Sequence, residues 1–118
     1  MNFTQIAKHV SIVGLALATA LITSSASAAQ RFTRLDGNAT KVYTYTAAPG
    51  ERFRVEISGD GDTDIDLFVR SPNGTMVCRG VSASDDEACS VYSPYGGTYR
   101  IELKNLGYIY NEVRLWLD

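Results

Sequence analysis

The residues in this chain best able to do chemistry are acids at alternate positions, Asp60-Gly61-Asp62-Thr63-Asp64-Ile65-Asp66. A hard cation such as calcium wants several carboxylate and carbonyl oxygens converging at short range, and a turn feeding a strand can supply them. Asp60, Asp62 and Asp64 are the candidate metal ligands, with Asp85, Asp86 or Glu87 able to add oxygens from a second loop. The EF-hand pattern is not met. A loop starting at Asp60 has Ile65 where glycine is required and Ser71 where the bidentate glutamate belongs. The competing reading is structural: Asp64 and Asp66 bond turn amides while Asp60 and Asp62 face water. Neither reading requires a cofactor, and calcium is the one ion that the first admits.

A second candidate is aromatic. Phe68 and Trp116 fall on the outward parity of their segments, beside Arg70 and Arg114. A ring facing water next to a guanidinium can stack on a sugar or anchor a peptide, so these four residues are the candidate ligand-binding set. Tyr92, Tyr95, Tyr108 and Tyr110 add rings in or near loops. Alternatively, Phe68 and Trp116 cover a sheet edge or pack under the N-terminal segment. The alternating charges Arg52, Arg54, Glu56, Arg100, Glu102 and Lys104 read as a solvated sheet face with weak cross-strand pairs.

Other chemistry is missing. The only histidine, His9, lies in the leader, so the exported part has no imidazole for a nucleophile system or a zinc site. Carboxylate-only catalysis needs two acids flanking a cleft, which a domain this small has little room for. The chain is not expected to be an enzyme, and no catalytic residue is assigned.

The leader reads MNFTQIAKHV, with Lys8 its one firm positive charge, followed by an apolar run of about 13 residues from Val10 to Ile22 and the small-residue stretch TSSASAA. That order is a secretory signal, and the run is short of the ~20 residues a helix needs to cross a bilayer. Ala26-Ser27-Ala28 suits a signal peptidase cutting before Ala29, and Ser27-Ala28-Ala29 also serves. Residues 1–28 are therefore expected to be cleaved, leaving 90 of the 118 residues with ten basic and thirteen acidic side chains. A net charge of −3 points to neither nucleic acid nor an anionic membrane. Cys78 and Cys89 both lie in the exported part, where the compartment is oxidising, and are expected to pair as a structural staple.

Period-two alternation positions these residues. Tyr43 and Tyr45 share one face within Lys41 to Ala47, Ala48-Pro49-Gly50 turns the chain, and Phe53, Val55 and Ile57 alternate with Arg52, Arg54 and Glu56. Ile65, Leu67 and Val69 point inward against Asp66, Phe68 and Arg70, and Ser71-Pro72-Asn73-Gly74 turns again. Short strands follow near Thr75 to Arg79 and Cys89 to Tyr92. Two longer ones turn Tyr99, Ile101 and Leu103, then Val113, Leu115 and Leu117, inward. No stretch keeps helical spacing for three turns. The expectation is an all-β, two-sheet antiparallel β-sandwich, jelly-roll-like, of seven or eight strands over residues 40–118, with residues 29–39 as a loosely held N-terminal arm.

Several blocks carry a family resemblance: Tyr43-Thr44-Tyr45 with Ala48-Pro49-Gly50-Glu51, then Asp64-Ile65-Asp66-Leu67-Phe68-Val69, Ser71-Pro72-Asn73-Gly74, Gly97-Thr98-Tyr99-Arg100-Ile101 and Val113-Arg114-Leu115-Trp116-Leu117. In this order they resemble the bacterial pre-peptidase C-terminal domain, related to the collagen-binding modules of clostridial collagenases. The resemblance implies a jelly-roll-like sandwich, no active site of its own, and an accessory or adhesion role. No peptidase sequence precedes the module here, so a role tethered to an enzyme is not expected.

These readings converge on a monomeric, secreted or periplasmic binding module for an extracellular protein or polysaccharide surface. The alternatives are a small inhibitor or regulator of a secreted peptidase, presenting the loop from Val81 to Ala88, and a structural component of an envelope assembly. Expressed with its leader in an exporting cell, the chain should yield a product beginning at Ala29. Intact-mass measurement checks this, and a product retaining residues 1–28 would contradict the signal reading.

Overall fold

The computed structural model describes residues 8–13, 22–24 and 29–118, with side chains from residue 30 onward. Its strands are β1 (Lys8–Val13), β2 (Ile22–Ser24), β3 (Ala29–Leu35), β4 (Thr40–Ala47), β5 (Glu51–Ser58), β6 (Ile65–Arg70), β7 (Met76–Gly80), β8 (Asp86–Ser93), β9 (Gly97–Asn105) and β10 (Asn111–Leu117). The eight strands β3–β10 form two antiparallel sheets, and no helix occurs among the described residues. One sheet runs β4-β9-β6-β7, with β1 and then β2 added beyond β4. The other runs β3-β10-β5-β8.

The inward sets are those that alternation picks out. Tyr43, Tyr45 and Ala47 of β4, Ile65, Leu67 and Val69 of β6, and Tyr99, Ile101 and Leu103 of β9 are buried against Phe53, Val55 and Ile57 of β5 and Val113, Leu115 and Leu117 of β10. A period of two leaves one face of each strand for the core and the other for water, which is how sandwich strands are built. At one end the ring of Phe53 lies 4.7 Å from Tyr45 and 5.1 Å from Tyr99, the latter edge-on. Such tilted pairs add to the area term.

The turn from β4 to β5 shows what Ala48-Pro49-Gly50-Glu51 does. Proline fixes one backbone angle, Gly50 takes φ +79°, and Glu51 N–H closes the turn on Ala48 O at 3.1 Å. The Glu51 carboxylate then accepts from Ala48 N–H at 2.8 Å and from the Tyr45 hydroxyl. Burial, reinforced by that carboxylate, holds the Tyr45 phenol well above its ordinary range, so it stays a donor.

Both sides of the sandwich are fastened. Cys78 on β7 and Cys89 on β8 are joined, Cα to Cα 5.8 Å, and this links the last strand of one sheet to the last strand of the other. On the opposite side Lys41 Nζ of β4 donates to Thr33 Oγ1 of β3 at 2.8 Å. β8 is longer than the sequence suggests, beginning at Asp86, so Asp86 and Glu87 belong to a strand and not to a loop tip.

The main departure from expectation is the N-terminal arm. Residues 29–35 are a full strand, paired with β10 from Ala29↔Leu117 to Leu35↔Asn111. Within residues 30–35 Leu35 is the one buried apolar side chain, so alternation gives no strand signal there. What holds it is backbone pairing to a partner some 80 residues away in sequence. The expected leader falls mostly outside the described residues. Its described pieces are β1, which pairs with β4 from His9↔Thr46 to Val13↔Val42, and β2, which pairs with β1.

Replacing Cys78 and Cys89 together by serine should cost roughly 3 kcal/mol on the chain-entropy model for a loop of this length. Denaturant melts of variant and wild type would measure it, with an unchanged midpoint as the contrary result.

Candidate functional site

The acidic turn between β5 and β6 is tied down by buried polar groups. Asn111, fully buried at the start of β10, accepts from Asp60 N–H at 2.9 Å and donates to Thr63 Oγ1 at 3.1 Å and Asp85 Oδ2 at 3.0 Å. Asp85, also buried, accepts from Gly61 N–H at 2.6 Å. A Cβ on Gly59 would lie 2.2 Å from Asp85 Oδ2, so glycine is what lets the carboxylate reach this position. Asn105 does the same for the neighbouring loop, donating to Leu35 O and Ile109 O and accepting from Gly107 N–H. The sequence pattern singles out neither asparagine. Buried amides earn their place by satisfying backbone groups that water cannot reach.

This network separates the three acids proposed as metal ligands. Asp60 accepts from the amides of Asp62 at 3.0 Å and Glu112 at 2.9 Å, so both its oxygens serve the backbone. Asp62 is exposed. Only Asp64 meets other carboxylates, and its companions are Asp66 and Glu87, with one oxygen from each within 4.8 Å of the others. Glu87 fits because Gly80 has no side chain, as a Cβ there would stand 2.7 Å from Glu87 Oε1. One Asp64 oxygen is buried with no hydrogen-bond partner among the described residues. Desolvation, then the charges of Asp64 and Glu87, raise the Asp66 pKa, and Lys104 offsets them in part.

The candidate ligand-binding set is divided between two surfaces. Phe68 and Arg70 face outward from the sheet containing β6, where Arg70 pairs with Glu102 at 3.4 Å and Arg100 reaches the same carboxylate at 3.5 Å. Half-buried Phe68 stands between Glu102 and Arg79 in the strand register. This face is a charge ladder, as the alternation suggests.

Trp116 and Arg114 face outward from the other sheet. The Arg114 guanidinium lies 4.8 Å from the Phe32 ring and 5.6 Å from the Trp116 ring. Phe32, 69% exposed on β3, escapes the sequence reading because its segment shows no strand signal. Two further stacks flank this one, Arg34 over Tyr110 at 3.8 Å and Arg52 over Tyr92 at 4.7 Å. Open depressions lie between them, one lined by Phe32, Arg34 and Glu112 and another by Arg54, Glu56, Trp116 and Asp118. A guanidinium held over a ring can keep N–H groups for a partner while the rings offer flat apolar contact, although Arg34 already donates through Nε to Asp36 at 3.1 Å. The arrangement can hold a planar or extended partner against the sheet.

Together the two stapled sheets and this broad contact face define a β-sandwich module of the accessory kind. The chain belongs to the bacterial pre-peptidase C-terminal domain family, whose sequence profile matches residues 35–105. Among solved structures it is similar to the pre-peptidase C-terminal domain of a collagenase from Bacillus anthracis, with TM-score 0.66, 12% identity, and 76% of this chain and 88% of that one covered. A periplasmic inhibitor of g-type lysozyme from Aeromonas hydrophila gives TM-score 0.59 at 19% identity, covering 77% and 84%. The Yersinia pseudotuberculosis-derived mitogen gives 0.59 at 14%, covering 77% and 84%. At these identities the likeness is one of fold. No curated protein matches the chain.

Because the folded Asp66 pKa is raised, the folded chain binds that proton more tightly than the unfolded one. Its favourable contribution is fully present below the ordinary value of 3.8 and is lost as pH rises through the folded value. Asp66→Asn should therefore melt higher than wild type at neutral pH, with the gap closing on acidification. Equal melting temperatures at neutral pH would contradict this.

Proposed function

We propose that this chain is an exported, non-catalytic binding module that engages an extracellular protein or polysaccharide through the outer face of the β3-β10-β5-β8 sheet. The observation that carries the reading is Arg114 held between Phe32 and Trp116. Large rings exposed beside a guanidinium are costly to leave in water and are typical anchors of recognition surfaces. The family is an accessory domain of peptidases, which accords with a binding role. The disulfide, the leader and the periplasmic inhibitor of similar fold support a location outside the cytoplasm.

Calcium belongs to the same proposal, with Asp64, Asp66 and Glu87 as its carboxylates and the unpartnered Asp64 oxygen as its motive. Bound calcium would replace mutual repulsion by attraction, so melts with calcium and with chelator separate the two cases. The second functional reading is a peptidase inhibitor. Its loop is held by Ser82 Oγ donating to Glu87 Oε2 at 2.6 Å and by Ile65 N–H donating to Ser84 O at 3.3 Å, which leaves Val81 exposed on a fixed frame. Assay against secreted peptidases decides it, with no inhibition counting against.

Phe32→Ala combined with Trp116→Ala should leave the fold intact, because both side chains lie outside the core, and should cut retention on the matrix that holds wild type by about tenfold or more. Co-sedimentation with insoluble polysaccharides and extracellular-matrix proteins measures it. Retention unchanged by the double substitution removes this face from consideration.

A further inference from the structure

Strand β4 has a neighbour on each side only while the leader is present. β9 pairs with it along one side and β1 along the other, the latter from His9↔Thr46 to Val13↔Val42. β2 adds beyond β1, so the space beside β4 accommodates further strands. Both lie within residues 1–28, the segment expected to be removed on export. Without them β4 becomes an edge of its sheet.

The other three edges carry features that keep sheet edges from pairing. β7 is five residues long, includes Arg79, and shifts register against β6 between Val69 and Arg70. β8 starts on Asp86 and Glu87, and β3 carries Arg31 and Arg34. Short length, irregular register and charge all discourage strand addition. β4 is eight residues long, and its register with β9 is unbroken. From Val42 to Ala47 it reads VYTYTA, without charge, proline or glycine, in residue types that favour strands. Its one charge, Lys41, is turned to Thr33 of the other sheet.

We propose that the processed chain forms a two-fold dimer in which β4 pairs antiparallel with β4 of a second copy, joining two four-stranded sheets into one. An open edge presents N–H and C=O groups that another strand can satisfy, and this strand complements itself. An axis beside Thr44 sets Tyr43 opposite Tyr45, Thr44 opposite Thr44 and Val42 opposite Thr46. Inward residues then meet inward ones and outward residues outward ones, with no like charges opposed across residues 42–46. Such a contact closes on itself and does not propagate. In the uncleaved chain β1 holds this place, so the dimer rests on removal of the leader. It replaces the monomer expected from the sequence. Because the axis stands perpendicular to the sheet, the Arg114 faces of both copies point the same way, which suits a repetitive surface.

The test is sedimentation equilibrium of the exported chain, its start at Ala29 first verified by intact mass. It should dimerise with a dissociation constant of about 100 µM or tighter. Thr44→Lys and Thr44→Glu each bring like charges together at the axis and should each weaken dimerisation by about tenfold or more, while an equal mixture of the two should restore it. Circular dichroism melts verify that each variant folds. Thr44→Glu stands opposite Arg100 of β9, a favourable pairing, and decides alone if Thr44→Lys does not fold. The proposal is overturned if the processed chain stays monomeric up to roughly 500 µM, if a folded variant dimerises as wild type, or if the mixture of folded variants stays monomeric. It is equally overturned if the exported product retains residues 1–28, because β1 then keeps the edge. Phe32→Ala with Trp116→Ala should leave the dimer unchanged, so failure of the dimer and failure of the binding face are read separately.

Discussion

Two or three inward side chains from each of β4, β5, β6, β8, β9 and β10, with Leu35 of β3, are the core of this domain, so the sandwich depends on those strands burying their whole inward sets at once. A one-residue slip in β6 would replace Ile65, Leu67 and Val69 by Asp66, Phe68 and Arg70 in the interior. Register is therefore set by the core. The fastenings at the two sides, Cys78–Cys89 between β7 and β8 and Lys41 to Thr33 between β4 and β3, keep the thin layers from parting where that core runs out. In a small domain such cross-links stand in for the apolar area that a larger one would have.

The polar residues divide by depth. Asn105, Asn111 and Asp85 sit at one end of the sandwich and spend their bonding capacity on loop amides and carbonyls. Asp60, for all its apparent availability, does likewise. The acid-rich turn is thus mostly scaffold, and the acids left with unmet electrostatics are Asp64, Asp66 and Glu87, which three separate elements bring together.

The two outer faces have different characters. On the β4-β9-β6-β7 sheet, Glu102 serves both Arg70 and Arg100, so positive and negative charges satisfy one another. On the other sheet Arg34 and Arg54 also pair with Asp36 and Glu56, but Arg34, Arg52 and Arg114 stack on Tyr110, Tyr92, Phe32 and Trp116. Arg114 and Arg52, stacked on rings with no carboxylate pair among the described residues, retain donor capacity that Arg70 and Arg100 spend on Glu102. This difference directs attention to the second face.

The strand pattern, the inward sets, the disulfide and the family were legible in the sequence, because each follows from local spacing or from a short block of residue types. Phe32 was not, since its strand exists only through pairing with β10. Nor was the separation of Phe68 from Trp116, because parity tells which side of a strand a residue faces and not which sheet the strand joins. The grouping of Asp64 with Asp66 and Glu87 depends on the same missing information. Local alternation fixed the inward sets of β4, β5, β6, β9 and β10, and long-range pairing decided which exposed residues became neighbours.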